Sequence, residues 1–194
     1  VISAQARAGF ERIFFDAART RLAGGGACEI RPVAHDAGRA PGDPSRPQRR
    51  AKPDAREQVV VLTISALHFR LLLALRFRDD APTQRHFAAT TPGASTQRPL
   101  AEAFMEVANL CCGAINQALT APFPDLGMST PYLLSGESVD YLAALHPAHT
   151  AAYDVTLDGD VRIGATLCVC ANAPVDFHVP EAAAVDTGGE LELF

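Results

Sequence analysis

Apolar residues recur along this chain with two periods, and the changes of period mark its elements. Over residues 3–23, Phe10, Ile13, Phe14, Ala17, Ala18 and Leu22 return every three to four positions, which predicts a helix stopped by Gly24, Gly25 and Gly26. A short strand is expected at 28–33. Residues 59–77 are mostly apolar, and from Leu67 on the period falls to two. Residues 59–64 form one strand, a turn lies near Ser65 and Ala66, and a second strand puts Leu67, Phe69, Leu71, Leu73, Leu75 and Phe77 on one face. His68, Arg70, Ala74, Arg76 and Arg78 take the other face. This stretch has about the length of a membrane span. A charge near a span centre costs at least ~2.5 kcal/mol, however, so His68, Arg70 and Arg76 argue for a half-buried hairpin.

Residues 79–98, with Pro82, Pro92 and Gly93, read as a polar connector. The helical period returns over 99–121, where Leu100, Phe104, Val107, Ala108, Cys111, Ile115, Ala118 and Leu119 gather on one side. A strand at 129–135 and a short helix at 138–145 follow. Tyr153, Val155 and Leu157 then alternate up to Asp158-Gly159, a two-residue turn signal, and Val161, Ile163, Ala165, Leu167 and Val169 alternate after it. Helix, strand, loop and hairpin therefore occur twice. The expected fold is α/β in the α+β sense: one domain over 1–194, built of two pseudo-symmetric halves, with two long helices packed on a mainly antiparallel sheet.

Composition narrows the function. With 194 residues, 48% of them hydrophobic, the chain can bury one sizeable core. A net charge of −5 and the absence of Trp leave no electrostatic or stacking footprint for nucleic acid. No signal-peptide pattern is visible and no membrane association is expected, so the expected location is cytoplasmic. Five cysteines, Cys28, Cys111, Cys112, Cys168 and Cys170, sit inside apolar patterns and suit a reducing compartment as small core residues. Cys168 and Cys170 with His146 and His149 lack the CxxC spacing of a zinc site, so no metal is assigned. Residues 34–57 carry six Arg/Lys against four Asp/Glu amid Pro and Gly, and read as a mobile, basic surface insertion. Residues 180–194 read as a tail ending in ELELF, a sequence faintly similar to sliding-clamp-binding peptides.

The polar face of the 99–121 helix holds the candidate chemistry. Glu102, Glu106, Asn109, Gly113, Asn116 and Gln117 line up along it. A stripe of this kind is most simply a solvated face, but Asn is a mediocre helix former and a mid-helix Gly costs about 1 kcal/mol relative to Ala. Close approach of a partner at Gly113 would account for both. The Asn amide offers an acceptor and a donor on one group, so it can hold a water in line with a phosphorus atom.

Glu106-x-x-Asn109 and the later Pro131 resemble the signature of the CheC/CheX/FliY chemotaxis phosphatases, Asp/Ser-x3-Glu-x2-Asn-x22-Pro. Glu102 stands where the family has Asp or Ser, which keeps the charge and adds a methylene. The resemblance implies a CheC-like fold of two such halves and a phosphatase of phosphorylated CheY-type response regulators, a hydrolase of two-component signalling. Asn109 would orient the attacking water and Glu106 would pair with the regulator's lysine. Glu102, Gly113, Asn116 and Pro131 would contact the partner. The chain would need no cofactor of its own, since the Mg2+ belongs to the regulator.

If Pro32 corresponds to Pro131, the first-half places of Glu106 and Asn109 fall on Arg7 and Phe10, which cannot do the same work. A single, CheX-like site is therefore expected. The rival is a module that binds a response regulator or flagellar-switch component without hydrolysis. A homodimer through exposed sheet edges is a further expectation. No G-x-S-x-G, phosphate-binding glycine loop or H-E-x-x-H competes, and His146 and His149 read as a plain surface loop.

Overall fold

In the computed structural model, which describes residues 1–33, 56–89 and 98–179, a long helix, a short strand and a hairpin are followed by a second set in the same order. The order is α1 (Ala4–Ala17, continued by wider turns over Ala18–Leu22), β1 (Cys28–Pro32), β2 (Glu57–Ser65), β3 (Phe69–Arg78), α2 (Ala81–Ala89) and α3 (Leu100–Leu119). Then come β4 (Gly127–Met128), β5 (Tyr132–Ser135), a 3-10 segment (Gly136–Leu145), β6 (His149–Leu157) and β7 (Val161–Ala171). The 34–57 insertion and the tail from 180 lie outside the described residues, except at the insertion's end, where Glu57 opens β2.

The seven strands form one sheet in the order β1-β6-β7-β3-β2-β4, with β5 also on β2, and every ladder is antiparallel. The expected repeat is visible in this order. β3 and β7 pair at the centre, with Leu73 opposite Leu167. The strands outside the hairpins then pair with the other half's hairpin: β1 lies on β6, and β4 and β5 lie on β2. The halves are thus interlocked, and neither completes a sheet alone.

Alternation along β3 and β7 puts Phe69, Leu71, Leu73, Leu75, Phe77, Val161, Ile163, Ala165, Leu167 and Val169 into one core with α1 and α3. Aromatic rings tie the layers together. Phe77 stacks on Phe104 of α3 with centroids 4.0 Å apart, and Phe10 of α1 meets Phe69 edge-on at 5.2 Å. The other sheet face is not bare: Val59, Ala74 and Cys168 are buried there, and the 3-10 segment crosses β2, β3 and β7. Cys170 of that face reaches the Leu145 carbonyl, with Sγ 3.8 Å away.

Several boundaries differ from the sequence reading. Leu67 belongs to the β2-β3 turn and is 83% exposed, because β3 begins only at Phe69. The strand expected at 129–135 begins only at Tyr132, after Pro131, which cannot donate to a ladder, and Gly127–Met128 pairs separately with β2. Leu157 pairs with Val161, so the expected two-residue turn has three residues, with positive φ at Asp158 and Gly159. The polar connector contains a whole helix, α2. Asp80 starts it, accepting from the Thr83 backbone N–H at 3.0 Å and the Thr83 hydroxyl at 2.7 Å.

Burial opposes the Asp80 charge, but the Thr83 hydrogen bonds with Arg78 and Arg85 outweigh it and hold its pKa below the ordinary value. This cap therefore contributes fully above an unfolded Asp pKa of about 3.9 and is lost as pH falls through the lower folded value. At the other end of α2, Phe87 docks edge-on against Phe104 at 5.0 Å. His86 beside it faces the Leu22 carbonyl at 3.1 Å and Asp158 Oδ2 at 3.2 Å, tying α2 to the end of the first helix and to the β6-β7 turn. No helix among the described residues is long and apolar enough to cross a membrane.

Candidate functional site

The packing of α3 decides which of its residues face outward. Ala103, Phe104, Ala108, Cys111, Cys112, Ile115 and Leu119 are buried. The expected core residues Leu100 and Val107 are only half-buried and Ala118 is exposed, because the contact with α1, its continuation and β2 is centred nearer Cys112 than periodicity alone suggests. Cys111 and Cys112 carry no nucleophilic chemistry. Burial raises the pKa of both, Cys112 to about 12, so both stay thiols at neutral pH.

On the opposite face Glu102, Glu106 and Gln117 are exposed, while Asn109, Gly113 and Asn116 are half-buried. Glu106 and Asn109, three positions apart, project on the same side. Among the described residues the Asn109 amide has no hydrogen-bond partner. Glu106 does have one: its Oε2 lies 2.7 Å from Nη1 of Arg98, both side chains about half exposed. A Cβ added at Gly113 would meet nothing within 4 Å, so the fold itself does not require glycine there. Asn116 Oδ1 is buried and unpaired among the described residues.

Pro131 is half-buried in the link from β4 to β5, and β5 lies alongside α3. The proline of the motif is displaced by one position. The signature's x22 spacing from Asn109 falls on Tyr132, and Pro131 stands one residue nearer. The difference sits in the loop after α3, outside the helix that carries Glu106 and Asn109.

Two residues of this face escaped the sequence reading. Leu110, 52% exposed, stands between Glu106 and Gly113 on the same side. Its signal was spacing: it follows Glu106 by four and precedes Gly113 by three. Arg98 gave no signal, since the residue before Pro99 belonged to the connector.

In the first half, Phe10 is 1% exposed and wedged between Phe69 and Phe177, while Arg7 is exposed. The α1 positions matched to Asn109 and Glu106 thus present a core ring and a cation. His149 is not in a surface loop. It opens β6, half-buried, with Nε2 3.2 Å from Glu11 Oε1; burial lowers its pKa, against the opposing pull of Glu11. Among the described residues no group of three or more His, Cys, Asp or Glu side chains is placed to hold a metal.

No family model and no curated protein matches this sequence. Solved structures do match. The chain has the fold of the CheC-like proteins of bacterial chemotaxis, two interlocked halves around one antiparallel sheet. Within that class it is similar to the chemotaxis protein CheX from Vibrio vulnificus, at 15% identity and a TM-score of 0.52, over 86% of this chain and 99% of that one. It is also similar to a chain of the CheX-CheY-BeF3-Mg complex from Borrelia burgdorferi, at 12% identity and 0.53, over 83% and 95%. A chemotaxis protein from Desulfovibrio vulgaris Hildenborough matches at 13% identity and 0.53, over 83% and 96%.

Proposed function

We propose that this protein acts in chemotaxis or related two-component signalling as a phosphatase of phosphorylated CheY-like response regulators. The observation that carries the reading is the Asn109 amide, without a partner among the described residues, on an outward helix face one turn from a carboxylate, in a CheX-like fold. One of the similar structures is named as a complex with CheY, which supports that class of partner.

In this reading α3 lies across the regulator's phosphorylated site. The Asn109 amide holds a water in line with the acyl phosphate. The water oxygen bonds to phosphorus, the bond to the aspartyl oxygen breaks with its electron pair on the leaving carboxylate, and the water's proton leaves with inorganic phosphate. The chain supplies placement, which is most of what phosphoryl transfer needs. The regulator's Mg2+ supplies charge neutralisation, and this protein needs no cofactor of its own. Glu106 docks a cation of the partner, and Glu102 makes a peripheral contact. Gly113 lets the partner approach the helix backbone, with Asn116 and Pro131 at the border of the contact.

Glu106→Gln tests the docking role. KM should rise about fivefold, the scale of one exposed charge pair, and the salt dependence of binding should weaken. An unchanged KM and salt slope would remove Glu106 from the interface.

The same reading includes self-association. Among the described residues β5 pairs only with β2, and along it Tyr132, 55% exposed, Leu133 and Leu134 are exposed, an apolar edge strand suited to a second copy. Sedimentation should show a dimer that Leu134→Lys converts to monomer; a monomeric wild type at tens of micromolar would exclude it.

A further inference from the structure

Resting on the docking reading above, we infer that Arg98 is a resident competitor for Glu106, a specificity-determining residue that a partner's cation must displace. The contact is direct: Arg98 Nη1 lies 2.7 Å from Glu106 Oε2. The fold gains little from it, since both side chains are about half exposed and such pairs are weak. Arg98 also sits just before the first turn of α3, where the helix dipole disfavours a cation. A guanidinium there occupies the carboxylate before docking, and it repels an incoming ammonium once docking begins. Both effects have the same sign, so together they set a threshold that a partner with a weakly presented cation does not pass.

Positioning is the competing role, in which Arg98 would hold Glu106 in a productive rotamer and its loss would weaken binding. A solvent-exposed single contact pays too much side-chain entropy to fix a rotamer well, whereas its charge acts regardless.

The test is a double-mutant cycle on the full chain with a phosphorylated response regulator of the same cell, following KM, kcat and the dissociation constant at two salt concentrations. Arg98→Gln should lower KM and the dissociation constant about fivefold, the combined size of an exposed ion pair and a like-charge repulsion, with the gain shrinking at high salt. In the Glu106→Gln background the same substitution should do far less. Weaker or unchanged binding in Arg98→Gln, or equal tightening in both backgrounds, overturns the inference while leaving the phosphatase reading intact. A wild type that neither binds nor acts on any regulator overturns both.

Discussion

Asn109→Ala should lower the rate of regulator dephosphorylation by about 100-fold, the scale for losing one preorganised polar group, and leave partner binding within about twofold. Ala is the better helix former, and the Asn109 amide has no partner among the described residues, so the substitution removes no internal contact. Glu106 and Arg98 keep their places, and so does the apolar Leu110 beside them. What disappears is the group that would hold water in line. A transition-state loss appears in kcat and kcat/KM alike, with the dissociation constant unmoved. A fall in binding that matched the fall in rate would make Asn109 a docking residue.

Phe10→Ala should destabilise the protein by about 3–5 kcal/mol, read as a shift of the unfolding midpoint, while dephosphorylation per folded molecule stays unchanged. The ring is 1% exposed and meets Phe69 of β3 at 5.2 Å and Phe177 at 4.9 Å. Its removal opens a cavity between α1 and the sheet that these partners fill poorly. Phe10→Leu, which keeps most of the volume, should cost less and gives the same functional comparison if Phe10→Ala does not fold. A large rate loss in folded Phe10→Leu would show that the first half takes part in the reaction.

How much of this was legible in the chain depended on how strongly local pattern controls each element. The alternation through Phe69, Leu71, Leu73, Leu75 and Phe77 marked a one-faced strand because no other conformation buries those five together. The repeat of units was legible as well. The exchange of β1 and β5 between halves was not, since the repeat defines what each half contains but not which hairpin its strand joins.

α2 stayed hidden because its segment holds one large apolar residue, Phe87, and owes its start to Asp80 and Thr83, a local hydrogen bond rather than a periodicity. The same limit applied at the candidate site. Glu106, Asn109 and Gly113 stood out by type and spacing on one helix. Arg98 pairs with Glu106 across the helix start, where no period links them. Leu110 was hidden by its type, because an apolar residue in an apolar helix reads as core until the packing shows which way it points.

The most direct test of the central claim is to follow loss of phosphoryl label from a purified, phosphorylated CheY-like regulator of the same cell, with this protein at substoichiometric concentration and Mg2+ present. The account predicts that each molecule of the wild type discharges many regulators, releasing inorganic phosphate, and that Asn109→Ala does so far more slowly. Tight binding of the phosphorylated regulator with label loss no faster than its own would contradict the phosphatase assignment and leave a binding module in its place.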